Sequence, residues 1–118
     1  MPARREPAAT PEDLTRLFVE RANERDVEGL LALYEPDAVL AFPPGRETVG
    51  HEAIRPVFEQ MLAQVPRFEP EQPNPTLRHG DIALTSTPAS DGTGGRTQVV
   101  RRQPDGSWLR VLDRPESG

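Results

Sequence analysis

The residue best placed to do chemistry is Asp113, a carboxylate near the end of the last apolar segment of the sequence. If Trp108 to Asp113 forms a strand, side-chain alternation places Asp113 on one face together with Leu109 and Val111. A carboxylate that points into a pocket could act as a general acid or base, or hold a polar group of a substrate. The structural alternative is an ion pair or a turn cap at the strand end.

Two arginines precede this segment and could support such a carboxylate. Arg96 and Arg101 lie in the preceding β-type segment, so either could reach Asp113 from a neighbouring strand. A guanidinium beside a carboxylate favours its charged form and can also bind a ligand oxygen. We therefore predict a polar site of Asp113 and Arg101, with Arg96 as the alternative partner.

The two histidines are weaker candidates. His51 begins a helical pattern, where an imidazole could act as an acid or base, although a solvated position in the first turn is the simpler reading. His79 falls in a turn. The histidines have no metal-ligand spacing to each other or to a carboxylate, and the sequence contains no cysteine. We therefore predict no metal site and no cofactor.

Composition narrows the possible partners. The chain has 118 residues, a net charge of −5 and 35% hydrophobic residues, which fits one domain with a thin core. An acidic chain without aromatic residues among its arginines is not expected to bind nucleic acid. No apolar run reaches membrane-spanning length, and Met1 to Thr10 lacks the apolar stretch of a secretory signal. We predict a cytoplasmic protein that does not enter membranes.

The first half of the chain predicts helices around one short strand. Residues 1–9 are expected to form a disordered tail, and the domain to span 10–115. Thr10 and Asp26 are helix caps, so helices are predicted over 11–24 and 27–34. A strand over 38–42 and a turn at 43–45 follow, and then a helix from Gly50 that Pro56 should bend or delay.

The second half predicts an antiparallel meander. The proline-bearing segment 67–77 can only be an edge strand or a loose connection. Strands are predicted over 82–87, 96–103 and 108–113, with turns at 78–81 and 104–106 and a flexible loop over 90–95. Residues 114–118 are predicted to form a tail, of which 116–118 lie outside the domain. Helices followed by a meander are typical of an α+β fold.

Four short motifs in this order resemble the nuclear transport factor 2-like superfamily. They begin at Asp26, Gly50, Gly80 and Arg101; in full they are Asp26…Leu30…Leu33-Tyr34…Asp37-Ala38-Val39-Leu40, Gly50-His51-Glu52-Ala53-Ile54, Gly80-Asp81-Ile82-Ala83 and Arg101 to Trp108 with Asp113. The last resembles the SnoaL-like and ketosteroid-isomerase-like branch. The resemblance implies a cone-shaped, cystatin-like α+β fold in which a curved, mostly antiparallel sheet wraps around a long helix and leaves a pocket.

The resemblance also tests one reaction. Ketosteroid isomerases have an oxyanion-donating tyrosine and a general-base aspartate at positions that match Phe18 and Phe42 here, and the segment 96–103 has no carboxylate for their second oxyanion acid. That residue set is therefore not expected. Phe18, Tyr34, Phe42 and Phe58 are instead predicted to line the pocket as ligand-binding residues together with Arg101.

Three functions remain open after this reading. The first is a cofactor-independent isomerase, cyclase or dehydratase that acts on a small apolar or polyketide-like molecule, with Asp113 as its catalytic acid or base. The second is a non-catalytic ligand-binding domain, and the third is a dimerisation or hub domain. In each case we expect a homodimer through the outer face of the sheet, with Trp108 in the contact.

Overall fold

The computed structural model describes residues 5–88 and 95–115. Three helices precede or interrupt the strands: α1 (Pro11–Asn23), α2 (Val27–Leu31) and α3 (His51–Gln64). The strands are β1 (Tyr34–Leu40), β2 (Thr48–Val49), β3 (Leu77–His79), β4 (Ile82–Thr87), β5 (Arg96–Arg102) and β6 (Trp108–Pro115). The predicted α+β class is confirmed.

The helices begin where their capping residues predict. The Thr10 hydroxyl accepts a hydrogen bond from the Asp13 backbone N–H, and an Asp13 carboxylate oxygen accepts one from the Thr10 N–H, which completes a capping box. An Asp26 oxygen accepts the Gly29 N–H at 3.0 Å and starts α2. α3 runs through Pro56.

Several predicted boundaries are wrong. The first strand is predicted over 38–42 but β1 spans Tyr34–Leu40, and the tail is predicted from residue 114 but β6 continues to Pro115. The second helix was expected to continue to Tyr34, but α2 ends at Leu31 and Tyr34 already begins β1. β1 therefore includes Pro36, although a proline has no backbone N–H to donate to a neighbouring strand. The strand tolerates this proline because the register leaves Pro36 in the irregular stretch between the Tyr34 and Val39 pairs with β6.

The six strands form one sheet in the order β2-β1-β6-β5-β4-β3. Every neighbouring pair is antiparallel except β1 and β6, which run parallel. The β5–β6 turn contains Gly106 at φ +89°, a conformation that favours glycine and supports the predicted Asp-Gly turn. The predicted loose connection is confirmed, because residues 65–76 have no regular secondary structure.

The core lies between the helices and the inner face of the sheet. Trp108 is 1% exposed, and the other fully buried large side chains are Tyr34, Leu14, Leu30, Leu31, Leu33, Ile54 and Val100. The expected place of Trp108 in a surface contact is therefore wrong, since this ring is part of the core. Burying a ring of this size removes a large apolar area from water.

The start of the chain also differs from the expected tail. Ala8 is 2% exposed and its carbonyl accepts the Trp108 backbone N–H at 2.9 Å. Arg5 forms an ion pair with Asp26. Residues 5–9 therefore pack on the body of the protein, whereas residues 1–4 and 116–118 and most of the predicted 90–95 loop lie outside the described residues. Among the described residues, no helix is both long and apolar enough to span a bilayer.

Candidate functional site

A cavity of about 800 Å³ lies between α1, α3, the inner face of the sheet and the segment that follows α3. This volume is in the range of sites that bind small organic molecules. Most of its wall is hydrocarbon. The apolar lining consists of Phe18, Val19, Leu40, Phe42, Val57, Phe58, Met61, Val65, Phe68, Pro70, Pro88 and Pro115.

The four predicted aromatic wall residues all line this cavity. The Phe18 and Phe58 rings meet edge to face with centroids 5.8 Å apart, and the Tyr34 ring lies 5.5 Å from Phe58. These contacts hold the rings at fixed angles. Phe42 is 39% exposed and lies nearer the opening.

A β-bulge in β6 determines which side chains enter the cavity. Arg110 pairs with Val100 and Leu112 pairs with Val99, so Val111 is left without a partner in β5. The bulge breaks the simple alternation, and Arg110 and Asp113 both turn toward the helices. The expected grouping of Asp113 with Leu109 and Val111 on one face is therefore wrong.

The polar end of the cavity is a buried cluster around Asp113, which is 6% exposed. The Tyr34 hydroxyl donates to Asp113 Oδ2 at 2.5 Å, and the Gln98 amide donates to Oδ1 at 3.3 Å. Arg110 Nη1 donates to the Tyr34 hydroxyl at 3.2 Å and lies 3.8 Å from Asp113 Oδ2. The positive charge of Arg110 offsets the negative charge of Asp113, so neither charge is buried without a counter-charge.

Arg110 has hydrogen-bonding capacity that the described residues leave unused. Its guanidinium lies 5.1 Å from the centroid of the Phe18 ring and 5.7 Å from that of Tyr34. Its buried Nε has no acceptor, and within the described residues the guanidinium has one hydrogen bond, from Nη1 to Tyr34. A buried donor without an acceptor costs free energy, so an acceptor brought by a ligand would be favourable here.

Burial and neighbouring charge determine the ionisation of Tyr34 and Arg110 in this cluster. Burial, reinforced by the negative charge of Asp113, raises the pKa of the Tyr34 hydroxyl well above its ordinary value. Tyr34 is therefore a neutral donor at physiological pH. Burial alone would lower the pKa of Arg110, but Tyr34 and Asp113 outweigh it and the pKa is raised, so the guanidinium stays charged.

The predicted partnership of Arg101 with Asp113 is wrong. Arg101 forms a two-bond ion pair with Glu35, at 2.8 and 2.6 Å, and does not line the cavity. Its strand position faces away from the helices, opposite Leu109. Arg96 does line the cavity, but at its rim, where it pairs with Glu71 rather than with Asp113.

The histidines stay outside the polar cluster. His51 Nε2 lies 2.9 Å from the Tyr34 carbonyl and joins the start of α3 to β1. His79 is exposed in β3, not in the turn expected for it. Within residues 5–88 and 95–115, no group of three or more His, Asp or Glu side chains is placed to hold a metal ion.

Three polar residues of the site were missed from the sequence: Arg110, Gln98 and Thr85. A signal for Gln98 exists, since alternation in β5 puts it on the same face as the buried Val100. Alternation also puts Arg110 on the face of the buried Trp108, and it was missed because only the unpredicted bulge brings Asp113 to that face. The same alternation in β4 puts Thr85 on the face of the buried Ala83, and its hydroxyl donates to the Gln98 amide oxygen at 2.8 Å.

Comparison with known proteins identifies the family. The model of the SnoaL-like domain family matches residues 15–113, which is most of the chain. No curated protein sequence is significantly similar to it.

Solved structures show the same fold at low sequence identity. A Nostoc punctiforme protein of unknown function with a cystatin-like fold superposes with a TM-score of 0.71 at 22% identity, covering 91% of this chain and 87% of that one. A provisionally assigned dehydratase of the NTF2-like family from Streptomyces avermitilis gives 0.70 at 17% identity, covering 91% and 93%.

A third neighbour is a ketosteroid isomerase-like protein from Erwinia carotovora atroseptica. It superposes with a TM-score of 0.68 at 21% identity, covering 87% of this chain and 89% of that one. At these identities the likeness concerns the fold alone. With the family match over residues 15–113, it follows that the protein belongs to the SnoaL-like domain family and has the cystatin-like, nuclear transport factor 2-like fold.

Proposed function

We propose that the protein is a cofactor-independent acid–base enzyme that moves a proton next to a carbonyl group of a small apolar, polyketide-like molecule. The observation that carries this proposal is the buried Arg110 guanidinium, whose unfilled donors lie beside Asp113 in an apolar cavity. A base next to a donor for the developing oxyanion is the arrangement that enolate chemistry requires.

The proposed step uses two side chains. Asp113 takes a proton from the carbon next to the carbonyl, the C–H electron pair moves to form an enolate, and Arg110 donates a hydrogen bond to the enolate oxygen. Return of the proton at another carbon gives an isomerase. Attack of the enolate carbon on a second carbonyl gives a cyclase, and loss of a β-hydroxyl as water gives a dehydratase.

The first experiment asks whether the cavity selects a carbonyl. β-Tetralone and tetralin have nearly the same apolar body, but only the first has a carbonyl oxygen for Arg110. We expect the ketone to raise the melting temperature more than the hydrocarbon, because a ligand that binds the folded state stabilises it. Equal effects of the two compounds would argue against a role for Arg110 in binding.

The second experiment tests turnover. Asp113→Asn keeps the shape of the side chain and removes the base, so conversion of any ketone found should fall by a factor of about 10²–10⁴. Asp81→Asn is the matched control, because Asp81 is exposed and pairs with Arg102 away from the cavity. Full activity in the Asp113 variant would remove this residue from the mechanism.

A binding protein without catalysis is the second candidate. The observation in its favour is that both Asp113 oxygens already accept hydrogen bonds and that Arg110 balances the charge. Such a pair can be a stable lining for a pocket. A ketone that raises the melting temperature and is recovered unchanged, with no exchange of its acidic protons, would favour this function.

We further propose that the protein is a homodimer through the outer face of the sheet. One outward-facing aliphatic residue from each strand lies in a continuous row in register: Leu77, Leu84, Val99, Leu112, Val39 and Val49. Leu77, Val49 and Leu112 are 66%, 53% and 47% exposed. A row that is apolar along its length can pack against its own copy, as a symmetric interface requires.

The dimer is tested by sedimentation of a Leu112→Arg variant. A charge in the middle of the row should give a monomer at concentrations where the unchanged protein is dimeric. Glu59→Arg on α3 is the control for added charge on an exposed surface. If the unchanged protein is monomeric at high micromolar concentration, the proposed dimer is excluded.

We also propose that the protein is cytoplasmic.

A further inference from the structure

A polar row crosses three strands on the inner face of the sheet. Thr85, Gln98 and Asp113 are register partners in β4, β5 and β6, and all three are buried. The Thr85 hydroxyl donates to Gln98 Oε1 at 2.8 Å, and Gln98 Nε2 donates to Asp113 Oδ1 at 3.3 Å. The row therefore runs from Asp113 on β6 across β5 to β4, where its last polar group is the Thr85 hydroxyl.

The direction of these hydrogen bonds follows from the charge on Asp113. An ionised carboxylate only accepts, so the Gln98 amide must turn its NH₂ group toward Asp113 and its oxygen toward Thr85. A hydroxyl can donate or accept, so Thr85 can serve either orientation of the amide. A valine at position 85 would have the same shape without this capacity.

We propose that Gln98, held by Thr85, is a positioning residue that turns its amide over when Asp113 gains a proton. The protonated carboxyl would donate from Oδ1 to Gln98 Oε1, and Gln98 Nε2 would then donate to the Thr85 hydroxyl oxygen. Each state of Asp113 thereby keeps a matched partner in the same place. The inference rests on the proposed function, in which Asp113 cycles between these two states.

Among the described groups around Asp113, only Gln98 can reverse the direction of its hydrogen bond when Asp113 gains a proton. Tyr34 from β1 must donate to Oδ2, because its own oxygen already accepts from Arg110. Arg110 lies on the Oδ2 side, and α1 and α3 present uncharged side chains such as Phe18 and Phe58. The remaining charged residues that line the cavity lie at its rim: Arg67, Glu69, Glu71 and Arg96.

A variant of nearly the same shape shows the reorientation of the Gln98 amide in the absence of substrate. In Asp113→Asn, the Tyr34 hydroxyl donor selects the amide oxygen on the Oδ2 side, so the new NH₂ group must face Gln98. The Gln98 amide should then turn over. In NMR spectra, nuclear Overhauser effects from the Gln98 Nε2 protons to the Thr85 side chain should be strong in this variant and weak in the unchanged protein. The same pattern in both proteins would overturn the proposal.

A second pair of variants measures the consequence for activity. Thr85→Val removes the hydroxyl, so in either orientation the half of the Gln98 amide that faces position 85 loses its partner. Gln98 is then no longer held in place, and kcat should fall about tenfold with KM unchanged. Thr85→Ser keeps the hydroxyl and should restore kcat. Equal kcat in the valine and serine variants would contradict the positioning role.

The two proposals fail in different ways. If Asp113→Asn retains turnover, the acid–base function fails, while the NMR comparison still decides whether the amide follows the group at position 113. If turnover is lost but the Gln98 contacts do not change, Asp113 keeps its role and the inference about Gln98 is wrong.

Discussion

At neighbouring positions along the strands, the two faces of the sheet reverse the usual pattern of polar residues outside and apolar residues inside. On the inner face, Thr85, Gln98 and Asp113 are polar and buried. On the outer face, the adjacent row is aliphatic, and Leu84 and Leu112 are 37% and 47% exposed. A buried polar group costs free energy unless it has a hydrogen-bond partner. An exposed apolar row costs free energy unless another surface packs against it.

The difference teaches what each face lacks. Within the described residues, the inner face satisfies most of its own polar groups. What it leaves open is the guanidinium of Arg110, whose free donors fit a small oxygen-bearing ligand. The outer row has no polar group to satisfy and calls for area, which a second copy can supply. We therefore assign the proposed acid–base chemistry to the cavity and the proposed dimer contact to the outer face.

The largest expected effect comes from breaking the charge balance of the inner face. Arg110→Met leaves Asp113 buried without its counter-charge, and the free energy of unfolding should fall by about 3–5 kcal/mol. Adding Asp113→Leu removes the unpaired charge and should recover most of this loss. Urea unfolding followed by the fluorescence of Trp108, which is the single tryptophan, measures both. Equal losses in the single and double variants would contradict the balance.

A matched pair on β5 compares the two faces directly. Val100 is fully buried against the core and Val99 is its neighbour on the outer row. Threonine has nearly the shape of valine, so Val100→Thr should cost about 1–3 kcal/mol by burying a hydroxyl. Val99→Thr should leave monomer stability within about 0.5 kcal/mol and weaken the dimer. Denaturation and sedimentation of both variants test this; equal losses of stability would argue that the faces are alike.

Tyr34 gives a pH test of the inner face. Its pKa in the folded protein is raised above the ordinary 10.0, so the stability from the neutral hydroxyl is complete below pH 10 and is lost as the pH rises further. Tyr34 is the single tyrosine, so tyrosinate absorbance reports on it alone. The absorbance should appear only as the fold is lost. Ionisation near pH 10 in the intact fold would contradict the burial of this hydroxyl.

The smallest effect is expected for the ion pair on the outer face. Arg101 lowers the pKa of Glu35 below its ordinary 4.5, so this contribution is present above that pH and is lost as the pH falls through the lowered value. The Arg101 side chain is 47% exposed, which limits the pair to about 0.5–1 kcal/mol. Arg101→Met should show this deficit at pH 7 and none in acid. A deficit that persists in acid would indicate lost packing instead.

Much of the fold followed from the sequence because its signals are local. The cap at Thr10, the turn at Gly106 and the proline-bearing connection each act through their own backbone and predict the elements around them. The end of α2 was misplaced because Leu33 and Tyr34 continue the helical spacing, while the pairing of β1 with β6 is a long-range contact that no local pattern contains.

The site was harder to predict because one bulge decides it. Counting outward from the turn without the bulge would put Asp113 opposite Thr97 on the outer face, whereas the extra Val111 moves it opposite Gln98. The aromatic walls were predictable from the family resemblance, which matches Phe18 and Phe42 to pocket positions. Arg110 precedes the bulge and lies on the face of Trp108, and it was missed because without the bulge Asp113 is expected on the opposite face.

The most direct test of the acid–base site is exchange of the protons next to the carbonyl of bound β-tetralone in deuterium oxide. The unchanged protein and Asp81→Asn should both accelerate incorporation of deuterium above the rate in buffer, and Asp113→Asn should show the buffer rate alone. Acceleration by Asp113→Asn equal to that of the unchanged protein would contradict the assignment of Asp113 as the proton carrier.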